Sequence, residues 1–324
     1  MCMKKIAVFT SGGDAPGMNA AVRAVVRTAC WFGVEVVGIR RGYQGMVEGD
    51  ALELRPESVA NIIQKGGTML KTSRSADFMT VEGRKKAHDN LKKWEVDGVV
   101  AIGGNGTFTG AGIFTHEFGV PFMGVPGTID NDLYGTDFTI GYDTAINTAL
   151  SAIDKIRDTA DSHNRVFLVE VMGRHSGFIA LDVGIGCGAE CILIPEESTD
   201  LEKMAKLFSH EAKRKKSFSI IVVAEGDDAG GAFDIARKLN AIVPGLDPRV
   251  TVLGHIQRGG APSAYDRLLG SRLGSAAVVE LLEGESGKML GVVSNELILT
   301  TFDDAIRLAK PVDKSLLKLA EILA

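Results

Sequence analysis

Short apolar runs alternate with amphipathic segments along the whole chain. Lys5–Thr10 is one such run, and apolar side chains recur at helical spacing from Met18 onward. The pattern predicts further strands at Val34–Ile39, Gly98–Ile102, Val120–Val125, Val166–Val171, Ile192–Ile194, Ser219–Ala224, Val250–Leu253 and Leu290–Val293. It predicts further helices at Val81–Trp94, Thr107–Phe118, Leu201–Lys215 and Ser263–Leu282, one starting at Asp143, and two short ones closing the chain. This alternation is typical of an α/β protein with mostly parallel sheets covered by helices on both faces.

Glycine-rich loops join several of these strands to the helices that follow. Ser11–Gly17 and Gly103–Thr107 both stand between a predicted strand and a predicted helix. Free N–H groups and the helix dipole at such a position favour an anion such as phosphate. The alternative is a tight turn with no ligand. Because ligands of open α/β sheets bind at the carboxyl ends of strands, we expect these loops to line a site.

A second pattern with chemical potential is Pro126–Asp132, with the sequence PGTIDND. Its carboxylates, Asp130 and Asp132, follow directly on a predicted strand. One carboxylate can accept a hydroxyl proton, and the other can hold a divalent metal, usually through water. The alternative is a turn rich in Asx residues. Asp137 and Asp143, close by in sequence, are expected to cap backbone groups or to face solvent.

Basic side chains recur in glycine-containing segments. They are Arg74, Arg165, Arg174, Arg249, His255 and Arg258. Phosphoryl transfer requires positive charge around an anionic transition state, and arginine forks suit a phosphorylated substrate. The alternatives are surface ion pairs for each arginine and a hydrogen-bonded structural role for His255.

Composition and charge narrow the classes of function. The 324 residues include 39 glycines, and a formal charge of −5 offers no basic surface for nucleic acid. No apolar run reaches the ~18 residues of a membrane span, and the start does not resemble a signal peptide, so we predict a soluble cytoplasmic protein. Four scattered cysteines, Cys2, Cys30, Cys187 and Cys191, predict reduced thiols rather than disulfides or zinc. The P-loop, zinc-helix and nucleophile-elbow motifs are absent from the sequence.

Several segments together resemble one family. SGGDAPGMNA, GGTMLKTSR, PGTIDND, GYDTA, VMGRHSG and GHIQRGG are similar, in this order and over essentially the whole chain, to the bacterial ATP-dependent 6-phosphofructokinase family. The resemblance implies transfer of a phosphoryl group from ATP to the 1-hydroxyl of fructose 6-phosphate, with Mg²⁺. It implies two doubly wound, Rossmann-like lobes with a cleft between them. Residues 1–138 and 251–301 would form the ATP lobe, and residues 139–250 and 302–324 the fructose 6-phosphate lobe.

The resemblance also implies roles for individual residues. Asp130 would be the base, Thr128 would position the reacting end, and Arg174 would steady the transferring group. The ATP-binding residues would be Gly12, Arg74, Ser75, Gly104, Asn105, Gly106 and Thr107. The sugar-phosphate residues would be Thr128, Asp130, Arg165, Met172, Gly173, Arg174, Glu225, Arg249, His255 and Arg258. Arg165 and Arg249 would come from a neighbouring subunit, which implies a homotetramer with shared substrate sites.

The chain departs from the family pattern at the metal-binding loop. Asp132 would help to hold Mg²⁺, but Asn105 stands where the family usually has an aspartate, and an amide carries no charge. Gly106 and Gly127 match ATP users, whereas pyrophosphate-using relatives typically have Asp and Lys at these positions. The alternative functions are therefore a pyrophosphate-dependent phosphofructokinase and, on the strength of Asn105, a non-catalytic sugar-phosphate or nucleotide sensor.

The resemblance further implies an allosteric site for ADP or phosphoenolpyruvate. Its residues would be Arg23, Arg27, Arg157, Gly188, Glu190 and Lys216. Arg23 and Arg27 share a helix face because they are four residues apart. The alternative is a solvated basic face. One arginine of the family pattern falls on Pro56, with Arg55 beside it.

Overall fold

The computed structural model describes residues 3–163, 165–214 and 219–323. The described chain divides into two compact units. The first unit comprises Met1–Ile129, Leu133–Thr144 and Arg258–Lys310, and the second comprises Asp130–Asp132, Ala145–Gln257 and Pro311–Ala324. Each unit is therefore assembled from segments that are distant in sequence.

Strands and helices alternate through most of the chain. The strands are β1 (Lys5–Thr10), β2 (Glu35–Ile39), β3 (Ala51–Leu54), β4 (Gly98–Gly103), β5 (Phe122–Pro126), β6 (Val166–Val171), β7 (Cys191–Leu193), β8 (Ser219–Ala224), β9 (Arg249–Val252), β10 (Lys288–Val293) and β11 (Glu296–Thr301). The α-helices are α1 (Met18–Trp31), α2 (Gly42–Glu48), α3 (Val81–Lys93), α4 (Asn105–Phe118), α5 (Tyr142–His163), α6 (Phe178–Gly186), α7 (Leu201–Arg214), α8 (Ala232–Ile242), α9 (Ala264–Glu283), α10 (Phe302–Arg307) and α11 (Lys314–Leu323).

Each unit is built around its own sheet. In the described residues, the first unit has a seven-stranded sheet in the order β11-β10-β5-β4-β1-β2-β3, and the second has a four-stranded sheet in the order β7-β8-β6-β9. Only β3 and β11, the edge strands of the larger sheet, pair antiparallel within this described part. The expected α/β class with mostly parallel sheets is confirmed.

The cores follow from the apolar runs. In the first unit, β1 and β4 are buried along nearly their whole length, and their side chains pack against helices such as α4 through Phe108 and Phe114. In the second unit, β8 is buried at every position and packs against α7 and α8. Strands covered on both faces read as continuous apolar runs, which is why the sequence pattern located them. In the described residues, no helix is both long and apolar enough to cross a membrane.

Some elements were wrongly predicted or were not predicted. The predicted loop Gly103–Thr107 is shorter in the structure, because α4 begins at Asn105 rather than at Thr107. The elements absent from the prediction are α2, β3, α6, α8 and β11. The α6 sequence, FIALDVGIG, is apolar all round and largely buried, so it lacks the polar face that marks a surface helix.

Helices α1 and α9 approach each other closely along one face of α9. A Cβ at Gly270 would lie 2.9 Å from the Gly17 carbonyl oxygen, and a Cβ at Gly274 would lie 2.6 Å from the Ala21 carbonyl oxygen. Side chains at these positions would force the two backbones apart. The glycines of α9 therefore set the distance between the helices.

The first turn of α9 also carries a carboxylate without solvent access. Asp266 is completely buried. The Gly141 N–H donates to Asp266 Oδ1 at 2.7 Å, and the Thr144 N–H and hydroxyl donate to Oδ2 at 2.8 and 2.5 Å. Burial raises the pKa of Asp266 from 3.8 to about 6, although these hydrogen bonds oppose the rise. The carboxylate thus ties α9 to the start of α5.

The raised pKa of Asp266 predicts a pH-dependent stability. Because the folded protein holds this proton more tightly than the unfolded chain, the stability contribution is complete below about pH 4 and is lost as pH rises through about 6. The difference in unfolding free energy, wild type minus Asp266→Asn, should fall by about 2 kcal/mol between pH 4 and pH 7. Urea unfolding of both proteins across this range measures it. Parallel curves for the two proteins would contradict the prediction.

Candidate active site

The glycine-rich loops of the first unit lie side by side at one edge of the larger sheet. They follow β1, β4 and β5, which are parallel neighbours in the order β5-β4-β1. The Ser11 N–H donates to the Ile102 carbonyl at 2.9 Å, and the Gly127 N–H donates to the Gly103 carbonyl at 3.0 Å. The carboxyl ends of these strands therefore bring the loops together, as such sheets do at ligand sites.

The end of β4 is packed too tightly to admit a side chain at Gly103. A Cβ at Gly103 would lie 2.2 Å from Thr107 Oγ1 and 2.6 Å from the Ser11 carbonyl oxygen. Thr107 is buried, and among the described residues its Oγ1 is one of few buried side-chain atoms without a hydrogen-bond partner. Cβ positions at Gly12 and Gly104 would lie 3.8 Å from Thr107 Oγ1 and 3.6 Å from Thr128 Cβ, respectively. Gly12, Gly104, Thr107 and Thr128 therefore converge, with a buried hydroxyl available to a ligand.

The positions expected to select the phosphate donor differ in their surroundings. Gly106 lies in the first turn of α4, and a Cβ there would meet no described atom within 4 Å. A Cβ at Gly127 would instead lie 3.0 Å from Met18 Cε and 3.1 Å from Ile102 Cγ2. The small size of Gly106 leaves open space at the helix start, whereas a Cβ at Gly127 would be in tight contact with Met18 and Ile102. Asn105 is the first residue of α4, where backbone N–H groups point out of the helix.

The remaining first-unit residues are more exposed. Arg74 is exposed, and the Ser75 hydroxyl accepts a hydrogen bond from the Phe78 N–H at 3.1 Å. The Arg258 guanidinium donates to the Asp14 carbonyl at 3.3 Å, so it lies over the Ser11–Gly17 loop. A Cβ at Gly13 would lie 2.6 Å from Arg258 Nη1, so the guanidinium passes close to the backbone of this loop. Arg258 therefore adds positive charge beside the first glycine loop.

The PGTIDND loop is held by hydrogen bonds to its own carbonyl groups. The Thr139 hydroxyl donates to the Thr128 carbonyl at 2.5 Å within the first unit. In the second unit, the Ser176 hydroxyl donates to the Asp130 carbonyl at 2.9 Å, and Arg174 Nε lies 3.8 Å from Asp130 Oδ2. The Asp130 side chain is 6% exposed and that of Arg174 is 63% exposed. Asp130 thus has an anchored main-chain carbonyl and a buried carboxylate beside an exposed cationic side chain.

The sugar-phosphate candidates of the second unit form two groups. The first lies at the carboxyl ends of β6 and β8. There Glu225 Oε1 accepts hydrogen bonds from the N–H groups of Gly173 at 3.3 Å and Arg174 at 2.8 Å. This carboxylate fixes the turn that carries Met172, which is buried, and Gly173, whose φ is 141°. Met172, Gly173, Arg174 and Glu225 are therefore brought together.

The second group, Arg165 and Arg249, lies at the other end of the same strands. Arg165 directly precedes β6, and Arg249 on β9 pairs with Phe167 near the start of β6. The six residues of β6 span roughly 20 Å. Both arginines are exposed, and Arg249 forms an ion pair with Asp247 at 2.9 Å. Within one chain, Arg165 and Arg249 therefore do not lie beside Glu225. His255 is exposed in the 3₁₀ turn Gly254–Arg258.

The predicted effector residues are distributed over both units. In the second unit, Arg157 donates to the Cys187 carbonyl, next to Gly188, and Glu190 Oε2 accepts from the Ile220 N–H at 2.5 Å. Burial raises the pKa of the Cys187 thiol to about 11. Arg23 and Arg27 lie on α1 in the first unit, with Arg27 exposed. Lys216 lies outside the described residues. Arg55, the neighbour of Pro56, pairs with Glu53 at 2.8 Å.

The carboxylates do not form a closed metal site. Within the described part of the chain, no group of three or more His, Cys, Asp or Glu side chains is arranged to hold a metal ion. Asp132 is half-buried, two residues beyond Asp130. Mg²⁺ ordinarily binds to one or two carboxylates and completes its shell with waters and substrate phosphates. The donor set of this loop fits a Mg²⁺ of that kind, which a nucleotide would bring.

Some residues that shape the site were not singled out from the sequence. Ser176 and Thr139 anchor the PGTIDND loop, and a Cβ at Gly226 would lie only 1.8 Å from the Arg174 carbonyl oxygen. Ser176 lies inside the quoted segment VMGRHSG, but the sequence did not indicate its hydrogen bond to the Asp130 carbonyl. Asp137 accepts from the Ser294 N–H at 2.8 Å, which is the capping role expected for it. These contacts join distant segments, and no local pattern encodes them.

Glycine loops, a buried aspartate and nearby arginines define an α/β protein equipped to bind phosphorylated ligands. Residues 5–281 match the family model described as phosphofructokinase. The chain belongs to the phosphofructokinase family. It is 58% identical over 322 residues to "ATP-dependent 6-phosphofructokinase 1" of Thermus thermophilus, covering 99% of this chain and 100% of the relative. It is 56% identical to "ATP-dependent 6-phosphofructokinase" of Cytophaga hutchinsonii, covering 99% and 98% of the two chains.

Solved structures support the same fold. The chain is similar to phosphofructokinase of Saccharomyces cerevisiae, with a TM-score of 0.89, 37% identity and 99% of this chain covered. It spans 47% of that longer chain. A pyrophosphate-dependent phosphofructokinase from Marinobacter aquaeolei has a TM-score of 0.83 at 22% identity, covering 97% of this chain and 86% of that one. The latter likeness shows the fold alone.

Proposed function

We propose that this protein is an ATP-dependent 6-phosphofructokinase, which transfers a phosphoryl group from ATP to the 1-hydroxyl of fructose 6-phosphate. The observation that carries the proposal is the buried carboxylate of Asp130, with Arg174 Nε 3.8 Å from its Oδ2. The relatives at 50–58% identity carry the name ATP-dependent 6-phosphofructokinase. The activity belongs to glycolysis, and the cytoplasmic location expected from the sequence stays a prediction.

Asp130 is the proposed general base. A carboxylate can accept the proton of the sugar hydroxyl as that oxygen attacks the phosphorus, provided that the carboxylate is held within hydrogen-bond reach. The Ser176 hydroxyl anchors the Asp130 carbonyl, which limits the movement of the loop. The exposed Arg174 guanidinium is proposed to turn to the transferring group, whose spreading negative charge it stabilises. Thr128 orients the reacting end.

The first unit is proposed to bind ATP. Support comes from Gly12, Gly104 and Thr107, which converge where the β1 and β4 loops meet. The main-chain N–H groups of the glycines and the start of α4 suit phosphate oxygens. Open space at Gly106 accommodates the part of the nucleotide behind the transferred phosphoryl group. Arg74, Ser75 and Asn105 complete the proposed nucleotide contacts.

The second unit is proposed to bind fructose 6-phosphate. Met172, Gly173, Glu225 and His255 would contact the sugar. The 6-phosphate is proposed to bind Arg165, Arg249 and Arg258. Because Arg165 and Arg249 lie at the opposite strand ends from Glu225, we propose that a neighbouring subunit of a homotetramer supplies them. Exposed arginine forks at a subunit boundary can reach a phosphate bound to the adjacent chain.

Mg²⁺ is proposed to bind with the nucleotide. Asp132 would hold it, with the nucleotide phosphates and water completing its shell. The ion would neutralise charge on the phosphates that it bridges. Asn105 stands at the start of α4, where the family pattern has an aspartate. An amide oxygen can still be a ligand, but without formal charge it binds the ion more weakly.

An effector site is proposed around Arg157, Gly188 and Glu190, together with Arg23, Arg27 and Lys216. Support comes from the close placement of Arg157 and Gly188 in the second unit. ADP or phosphoenolpyruvate would be held through its phosphate by the basic side chains.

A donor panel tests the proposed function. Purified protein is assayed with fructose 6-phosphate and ATP, GTP, ADP or pyrophosphate at varied Mg²⁺. We expect fructose 1,6-bisphosphate with ATP and none with pyrophosphate, because Gly106 leaves room for a nucleotide. Turnover with pyrophosphate alone would identify the pyrophosphate-dependent alternative. No turnover with any donor at saturating Mg²⁺ would identify a binding protein.

Replacing the proposed base should leave a folded but slow enzyme. Asp130→Ala is expected to lower kcat by roughly two to four orders of magnitude, the usual loss when general-base help is removed. Initial rates with ATP and fructose 6-phosphate measure it. Asp89→Ala, at an exposed aspartate on α3, is the matched control and should retain full activity. A near-normal rate for Asp130→Ala would remove Asp130 from this role.

Restoring a charge at Asn105 should strengthen metal binding. Asn105→Asp is expected to lower the Mg²⁺ concentration for half-maximal rate severalfold, because a carboxylate replaces a neutral ligand. Calorimetric titration of Mn²⁺ into the protein with ADP gives a readout independent of turnover. Asn61→Asp, at an exposed asparagine in the first unit, is the control for added charge. Equal titrations for Asn105→Asp and wild type would mean that this position does not face the metal.

A further inference from the structure

One face of α9 carries residues spaced four apart that hold two other elements. Asp266, Gly270 and Gly274 lie on this face. The glycines admit the α1 backbone, since Cβ atoms there would lie 2.9 and 2.6 Å from its nearest carbonyl oxygens. Asp266 binds the start of α5 through Gly141 and Thr144. This face of α9, which we call the α9 clasp, therefore fixes α1 and the first turn of α5 to a common support.

Hydrogen bonds lead from the α9 clasp to the loop that carries the base. Gly141 receives its support from Asp266, and the residue before it, Ile140, donates its N–H to the Pro126 carbonyl at 2.9 Å. The Thr139 hydroxyl donates to the Thr128 carbonyl at 2.5 Å. Residues 139–141 are thus bonded to both Pro126 and Thr128. Asp130 follows Thr128 by two residues. The backbone that leads to Asp130 therefore leaves a segment that Asp266 helps to hold in position.

The other end of the α9 clasp reaches the first glycine loop. Gly17, with φ of 106°, ends the Ser11–Gly17 loop and begins α1. A Cβ at Gly17 would lie 3.1 Å from the Asp266 carbonyl oxygen and 3.2 Å from Asp266 Cβ. The backbone of the proposed phosphate loop therefore rests against the same residue that supports residues 139–144. A shift of Asp266 would move both loops.

The hydrogen bonds require an acceptor on both sides of this side chain. Asp266 Oδ1 accepts from Gly141, and Oδ2 accepts from the N–H and the hydroxyl of Thr144. An asparagine at this position would turn an NH₂ group toward N–H donors, leaving one side of the contact repulsive and unsatisfied. The charged or titratable groups that interact with Asp266 are Asp143 on α5 and Tyr265 on α9, while α1 presents the Gly17 backbone. The contact is therefore specific for a carboxylic side chain.

We propose that Asp266 is a positioning residue for phosphoryl transfer, which holds the backbone of Pro126–Thr128, from which the chain continues to Asp130, in place relative to the Ser11–Gly17 loop without touching substrate. The inference rests on the proposed function. Asp266 would affect the reacting geometry rather than substrate binding, because it acts through Ile140 and Thr139, which donate to the carbonyl groups of Pro126 and Thr128. A misplacement of about 1 Å can cost a hundredfold in rate.

Steady-state kinetics of Asp266→Asn test this directly. We expect kcat to fall about tenfold to a hundredfold, with KM for ATP and for fructose 6-phosphate within about threefold of wild type. Glu283→Gln, the same change at an exposed carboxylate at the end of α9, should behave as wild type. An unchanged kcat for Asp266→Asn, or a loss confined to KM, would overturn the proposal.

Thr144 provides a second variant that keeps Asp266 in place. Thr144→Val removes one donor to Oδ2 and also the acceptor for the Ser263 N–H, whereas Thr144→Ser retains both. We expect Thr144→Val to lower kcat in the same direction as Asp266→Asn and Thr144→Ser to restore it. If Asp266→Asn does not fold, as judged by circular dichroism, this pair decides the question. Equal kcat for valine and serine would then overturn the proposal.

A double-mutant cycle with Asp130→Ala shows whether the effect runs through the base. If Asp266 acts in part by placing Asp130, Asp266→Asn should lower kcat by a smaller factor in the Asp130→Ala background than in wild type. An undiminished effect there would show a general structural role and would overturn the proposal. Wild-type kcat in Asp130→Ala itself would instead contradict the proposed function. The two failures are therefore distinguishable.

Discussion

Parallel hydrogen bonding between β5, β4 and β1 is the constraint on which the rest of the first unit depends. It aligns the carboxyl ends of these strands, so that the loops beginning at Ser11, Gly103 and Gly127 are neighbours. Segments more than a hundred residues apart thereby contribute to a single edge. The N–H groups and the helix start at this edge suit phosphate. The chemistry of the site is a consequence of strand order.

Close backbone contact is the second requirement of this arrangement. A side chain at Gly103 would overlap Thr107, and side chains at Gly270 and Gly274 would separate α9 from α1. The excess of glycine in the sequence thus has two physical origins. Some glycines, such as Gly106, leave open space beside the backbone, whereas Gly127, Gly270 and Gly274 lie close to neighbouring parts of the protein. Asp266 adds a polar contact to the same close-packed face, satisfied on both carboxylate oxygens.

Much of the fold was predictable because buried parallel strands are continuous apolar runs. The strand predictions for β1, β6 and β8 coincide with the structure. The prediction missed α6, which is largely apolar and buried. It also missed β11, because the alternation of strands and helices does not predict a strand that pairs antiparallel with β10. The match of Gly106 and Gly127 to ATP users did not indicate that a Cβ at Gly127 would contact Met18 and Ile102, whereas a Cβ at Gly106 would meet no described atom within 4 Å. The spacing of residues along the chain does not indicate which atoms of distant segments pack against a given residue.

The sequence by itself determined the α/β class, the order of the glycine loops and the motif that carries Asp130, because these depend on residue type and spacing along the chain. The tertiary structure decided which distant groups meet. Ser176 anchors Asp130 across 46 positions, and Asp266 supports Gly141 across 125. It also decided that Arg165 and Arg249 lie at the far strand ends from Glu225. Hydrogen-bond partners of this kind are selected by packing in three dimensions, which leaves no periodic signal in the chain.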